Sequence, residues 1–411
     1  MFRIKYFLIV IATLAALPCG TFAQGQIHKA FTVSGDASIV IVNPRGAIKI
    51  SASAENKAEV DIVSKGGPLD ENSVSLEQTG KRLVIDTSRS AAGSRVAQRS
   101  QLSVEVKLPG SVNLDSIVTV SGDITIDGAG SRVNARTTSG NIHLLSVPGD
   151  VKLGAISGNI TVEKSGGLVS VASTSGRIFL RSVGSVIIEG RSDNVTVEDV
   201  KADANISTTS GSIQVTSIGG RLKASTLSGG ITAKGIQGDA RLSTLSEGIS
   251  IEDVGGRVTA TAISGDVTVS RIRNGIQASS VSGSIKVQGA AGPLEAQSTG
   301  GNIILGGVSS RDVKAACHSG NISFSGVIFD DGRYSFDSFS GSVSLDIPKD
   351  SSFSFSGRTL SGHISSEFPF RDDPHQADRE GRRTLTGSYG RENAGRISAS
   401  SFSGSIRLRM R

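Results

Sequence analysis

Cys317 and His318 stand side by side in CHSGN, and a thiol beside an imidazole is the simplest pairing for nucleophilic catalysis. Other residues suited to chemistry are few. Asp123, Asp127 and Asp266 fall at outward positions, and glycoside cleavage needs two carboxylates at fixed separation or a carboxylate opposite a base. The histidines, His28, His143, His318, His363 and His375, show no metal-ligand spacing. Glycine-rich β-repeats of nine residues suggest calcium-binding β-rolls, which line every turn with Asp oxygens. Here the residues after the recurrent Ser-Gly are Asp123, Asn141, Asn159, Arg177, Ser212, Asp266 and Asn302, too mixed for a row of cations. No nucleophile elbow, phosphate loop or dinucleotide fingerprint occurs. No residue is therefore assigned a catalytic, cofactor-binding or metal-binding role, and no cofactor is expected.

What positions these residues is a repeat. Ser-Gly glycines fall at Gly122, Gly140, Gly158 and Gly176, then from Gly211 through Gly229, Gly265, Gly283 and Gly301 to Gly320, Gly341, Gly362 and Gly404. The common step is 18 residues. Where the series skips, Asn194 and Glu247 stand in the vacant places. Asparagine is the side chain that best tolerates positive φ, so the column reads as a left-handed corner. Two and four residues after the glycine come apolar residues such as Ile142 and Leu144, or Ile160 and Val162. Seven and five before it come Val151 and Leu153, or Val169 and Val171. Spacing of two marks half-buried strands. A lone unit cannot bury its apolar face, so copies must stack, each strand pairing with its equivalent one coil on. The expectation is an all-β fold, a parallel β-solenoid (a single-stranded β-helix) with about 18 residues per coil. About 13 steps at roughly 4.8 Å give a rod on the order of 60 Å long, with right-handed coils as the default for parallel crossovers.

Three before the glycine the residue is small: Thr137, Ala155, Ser173, Thr208, Thr226, Thr244, Ser280, Ser298, Cys317 and Ser338. Parity with the apolar columns points this row inward, and Cys317 then reads as a buried, inert small residue. An outward column with Thr125, Thr161, Thr232 and Thr268 is broken by His143, Phe179, Gln214 and Lys286, which argues against an ice-binding array.

The ends differ from the middle. Residues 24–110 alternate like strands without the 18-residue register, and read as an N-terminal β cap over the open core. Residues 111–411 read as the repeat domain with its own C-terminal cap. Within residues 24–110, Arg89, Arg95 and Arg99 lie in a basic loop over 88–101. Near the other end the step lengthens to 21, and Phe336, Phe339, Phe353 and Phe355 read as fillers of wider coils. A charged excursion spans 370–383, and SFSGSIRLRMR closes the chain with one last copy of the unit.

Residues 1–23 have the form of a signal peptide: Arg3 and Lys5, an apolar run from Tyr6 to Leu17, and a small-residue exit at Thr21-Phe22-Ala23. The run is too short to span a bilayer, no later stretch approaches 18 apolar residues, and Pro18 before Cys19 fits a lipidation box poorly. Losing the leader takes the net charge from +6 to +4, too mild and dispersed a balance to imply nucleic acid. One cysteine, Cys317, then remains, so no internal disulfide can form.

The segments LSVEVKLPG (102–110), TVSGDITIDG (119–128), GDVKLGAISGNITVEKSGG (149–167) and the ending ISASSFSGSIRLRM resemble a bacterial β-strand-repeat family of putative adhesins, domain of unknown function 4097. The resemblance spans roughly residues 30–411. It implies the β-repeat fold and an adhesin-like role, and it brings no catalytic residue or cofactor to carry over. Together these readings predict an exported, non-catalytic structural or interaction protein of the cell envelope, in the periplasm, on the surface or outside the cell. Its expected partner is an envelope polysaccharide or a surface protein. The competing reading is a polysaccharide lyase or hydrolase with a shallow groove on one solenoid face.

Overall fold

The computed structural model describes residues 25–65, 69, 73–88, 101–371, 376–377, 383–391 and 394–411. The signal-peptide reading, most of the basic loop, most of the charged excursion and His375 fall outside the described residues. The described chain is all β, without an α-helix. Its strands stack as a parallel solenoid in the anticipated register. Ile142 pairs with Ile160, Ile213 with Ile231 and Val267 with Ile285, each one 18-residue step apart. The apolar columns two and four after the glycine, and seven and five before it, close on one continuous core. A further buried column, unread in the sequence, stands seven after the glycine and holds Val147, Val183, Ile218, Ile236, Val254 and Ile272.

The corner glycines are there for a different reason from the one the sequence suggested. Most of them lie outside the left-handed region, and so does Asn194. What excludes a side chain is the coil below. A Cβ on Gly140 would stand 2.0 Å from the Gly122 carbonyl oxygen, and one on Gly283 would stand 2.0 Å from that of Gly265. The positive-φ corner lies six residues further on, and it is held mostly by residues with side chains. Ser146, Lys164, Ser182, Asp199, Ser217, Asp253 and Arg271 occupy it, with φ between 54° and 60°. Where the series skips, Gly211 packs on the carbonyl of Asp193 rather than of Asn194, because that coil is one residue shorter.

Both ends depart from simple stacking. At the N-terminal end β1 (Gln26–Thr32), β2 (Ser38–Arg45), β3 (Ile48–Ser53) and β4 (Lys57–Lys65) are followed by β5 (Ser75–Thr79), β6 (Arg82–Asp86), β7 (Gln101–Pro109) and β8 (Asn113–Ser121). Strand β2 lies between β6 and β8, parallel to both, and β3 pairs in parallel with β7. The coil made by β2 and β3 is therefore held between two later coils, and Gly46 continues the glycine column beneath Gly122. The C-terminal end mirrors this arrangement. Gly395–Ser401 lies between Arg333–Ser338 and Phe353–Thr359, parallel to both. Ile406–Met410 likewise lies between Val343–Ile347 and Ile364–Ser366. The last copy of the repeat is thus the penultimate coil of the rod, and Gly404 sits between Gly341 and Gly362. Antiparallel strands finish both ends: β4 against β7 with β1 outside it, and Arg383–Tyr389 against Phe353–Thr359. Such strands cover the outer edges of β7 and of Phe353–Thr359, where a second chain could otherwise extend the parallel sheet.

Candidate functional site

Hydroxyls three before the glycine line the inside of the corner, and from Thr226 onward most of them hold its backbone, whereas Thr119 and Thr137 have no partner among the described residues. Ser298 Oγ donates to Gly283 O (3.0 Å), one coil below, and accepts from Gly301 N–H (3.0 Å) in its own coil. Ser280 and Ser401 do the same, and Thr226 and Thr244 donate to the corner carbonyls beneath them. A buried corner carbonyl thus gains the donor it would otherwise lack. Cys317 takes this place in its coil. Its Sγ donates to Gly301 O (3.0 Å), and burial pushes its thiol pKa up. His318 points the opposite way, as successive strand residues must, so the adjacent pair forms no catalytic dyad. Its ring stacks on Phe339, centroids 4.8 Å apart.

One coil exchanges the two columns. Gly190 stands where the hydroxyl belongs, and Asp193 stands where the glycine belongs. The Asp193 carboxylate fills the vacated space, wholly buried (0 % exposed). It accepts from Ser173 Oγ (2.7 Å) and Arg191 N–H (3.1 Å). It takes over the accepting half of the missing hydroxyl's role and donates to no corner carbonyl. Asp193→Ala should cost about 2 kcal/mol, the penalty for stranding two buried donors. Gly190→Ser combined with Asp193→Gly should recover most of that loss in urea-unfolding midpoints.

The outward carboxylates are structural as well. Asp123 Oδ1 accepts from Asn141 N–H (2.7 Å), and Asp266 Oδ1 accepts from Ser284 N–H (2.7 Å). Asn141, Asn159, Asn302 and Asn321 repeat this bond from coil to coil, one residue after the glycine. The position needs a short side-chain acceptor rather than a charge. Asp127 is exposed on the strand that follows. At the opposite corner Asp203 takes hydrogen bonds from the backbone and guanidinium of Arg221, which hold its carboxyl below the usual range. Among the described residues no three His, Cys, Asp or Glu side chains converge as a metal site would require.

The surface with an unspent feature lies two residues before the glycine. Leu227, Leu245, Ile263 and Val281 stand outward there in consecutive coils, 50 % exposed at Leu227 and 43 % at Ile263. Thr299 follows, then His318, Phe339, Phe402 and Leu360. Phe339 and Phe402 are each 48 % exposed and stack at 4.8 Å. Nine coils in register give a straight ridge about 38 Å long. Phe336 and Phe353, by contrast, fill the core as the sequence suggested. A trough of about 940 Å³ runs beside the ridge from Ile263 to Leu360. The ridge is its apolar wall. Its other wall carries Thr261, Ser279, Gln297, Asp337, Ser400 and Arg358. The strands beneath are paired on both sides, so the trough offers side chains and no free sheet edge.

The family model described as Toastrack DUF4097 matches residues 37–291 and 255–409. The chain belongs to the Toastrack DUF4097 family. Among solved structures it is similar to a putative cell adhesion protein from Clostridium sporogenes, at 8 % identity over 94 % of this chain and 100 % of that one, with a TM-score of 0.18. A putative adhesin from Bacteroides fragilis shares 14 % identity over 73 % of this chain and 97 % of its own, TM-score 0.24. A putative lipid binding protein from Parabacteroides distasonis shares 16 % over 72 % and 96 %, TM-score 0.23. Superposition at that level says nothing about what this Toastrack chain binds. No curated protein matches it. The whole trough lies within the second Toastrack match.

Proposed function

We propose that this Toastrack protein is an exported, non-catalytic, adhesin-like module of the cell envelope that grips an extended polysaccharide along its trough. The observation that carries the reading is the exposed apolar ridge, interrupted at Thr299 and His318, beside a hydroxyl-bearing wall, since an exposed apolar patch marks an interaction site. One apolar and one polar wall suit a polymer with C–H faces and hydroxyl edges. An acyl chain would want two apolar walls, and an added β-strand would want a free edge. Stacking along the rod occupies both faces of Phe339 and one face of Phe402, so these rings chiefly present positive edges to ligand oxygens rather than platforms to sugar faces. Export rests on the leader-like residues 1–23. Residues 24–110, with their antiparallel strands, serve as the N-terminal cap. The structural roles of Asp123 and Asp266 favour binding over hydrolysis.

The test incubates the mature chain with a panel of envelope and extracellular polysaccharides, reading retention and release of new sugar ends in the same tubes. Retention without cleavage is expected, falling at least tenfold in Ile263→Asp/Val281→Asp, whose exposed positions leave the fold intact by circular dichroism. New sugar ends would overturn the non-catalytic reading. Retention unaffected by the double substitution would move the site away from the trough. Absence of any retained glycan would turn the search to a surface protein.

A further inference from the structure

We infer that the C-terminal end of the rod carries a second, separate site, one for a compact oxyanion such as phosphate or sulfate. A cavity of about 510 Å³ opens there, and Arg333, Arg371, Arg391 and Arg396 all line it. Two carboxylates, Asp330 and Asp331, lie in the same wall. They do not neutralise it. Asp331 is engaged by Arg311 Nε (3.0 Å), whose guanidinium is held over the Phe329 ring, 4.7 Å from its centroid. Among the described residues Asp330 reaches only Arg391, at 3.9 Å. Arg333, Arg371 and Arg396 form no ion pair among the described residues.

The tucked last coil creates this arrangement. Inserting Gly395–Ser401 beside Arg333–Ser338 makes Arg396 the direct cross-strand partner of Arg333. On its other side Arg333 faces Asp312, with no ion pair between them. Like charges directly opposite on neighbouring strands destabilise a sheet, and the strands here stand about 4.8 Å apart. Nothing in the repeat demands arginine there, for the equivalent position in the next coil is Ser354. The hydroxyl-bearing Ser354 and Ser388 complete the wall. Several guanidinium forks around one space match the oxygens of phosphate or sulfate, which accept paired N–H bonds. The anion is either free in solution or a substituent on a polymer. The site is separate from the trough, because Arg333, Ser354 and Arg396 stand near the starts of the strands whose far ends build the trough wall.

The test is isothermal titration of the mature chain with sodium phosphate and sodium sulfate at constant ionic strength, sodium chloride serving as the blank. Saturable binding is expected, weakened at least tenfold in Arg333→Ser/Arg396→Ser. Both positions are exposed, and an unchanged melting profile in chloride checks that this variant folds. Dextran sulfate bound at least tenfold more tightly than free sulfate, and lost in the same variant, would assign the anion to a polymer. Equal affinity would assign a free ion. Phosphate and sulfate heats no different from chloride, or binding undiminished in the double variant, would overturn the inference. Asp372, Asp373 and Glu392 fall outside the described residues, so Asp372→Asn/Asp373→Asn/Glu392→Gln is the counter-test. Binding seen only in that triple variant would make the arginines internal counter-ions and would equally overturn the site.

Discussion

Gly283→Ala should break the rod locally, at a cost of about 3 kcal/mol or more, the upper range of overpacking. The new Cβ would lie 2.0 Å from Gly265 O and 2.4 Å from its carbonyl carbon. Both are backbone atoms in a coil paired on either side, so neither can rotate away. Separating the two coils would stretch the ladder bonds between Val267–Ile272 and Ile285–Ala290. Gly289→Ala is the control. Gly289 sits at φ 64°, with its nearest outside atom 3.9 Å from the added Cβ, so only the left-handed backbone is penalised, by about 1 kcal/mol. Hydrogen exchange read coil by coil separates the two. Gly283→Ala should lose protection on both sides of the corner, whereas Gly289→Ala should keep it. Equal losses would refute close approach as the reason for the glycine column.

Ending the chain at Ala394 should unravel more than the segment removed. In a rod whose coils follow chain order, deleting the last copy exposes one fresh end. Here Gly395–Ser401 and Ile406–Met410 fill the slot between two coils that precede them in sequence. Without them, Arg333–Ser338 and Phe353–Thr359 face each other across two strand spacings, about 9.6 Å, with unpaired rows of N–H and C=O groups. Ile397, Ala399, Ile406 and Leu408, all buried, leave the core at the same time. Exchange protection should vanish over residues 333–366, while the coils from Arg132 to Val308 stay protected, since solenoid coils hold chiefly their neighbours. Bound hydrophobic dye should rise in parallel. Protection retained at Val343–Ile347 and Phe353–Thr359 would show that the outer coil closes the gap by itself.

The sequence by itself determined the coil. Residues spaced by two around a recurring Ser-Gly dictate short strands with one face inward, and an 18-residue step leaves stacking as the sole way to bury them. That reasoning placed Ile142, Leu153 and Ile285 in the core, turned the Thr137-to-Ser338 row inward, and read Cys317 as inert. All of these follow from alternation within one strand. Relations between coils were decided by the tertiary structure. Gly140 is glycine because of a carbonyl 18 residues away, and no property of its own segment reports that distance. The true left-handed corner mixes Ser146, Lys164 and Arg271 with Gly235, Gly289 and Gly307, so no single residue type marks the column in the sequence. Phe336 and Phe339 look alike in sequence, and strand parity sends one into the core and the other onto the ridge. The apolar character of Leu227, Leu245, Ile263 and Val281 was legible, but its meaning as a continuous outer ridge needed the stacked register. The order of the terminal coils was least legible of all. Gly404 carries the same motif as Gly362, and both slots accept it equally well by pattern. The antiparallel strand Arg383–Tyr389 precedes a last copy that pairs back inside, which brings Arg396 beside Arg333.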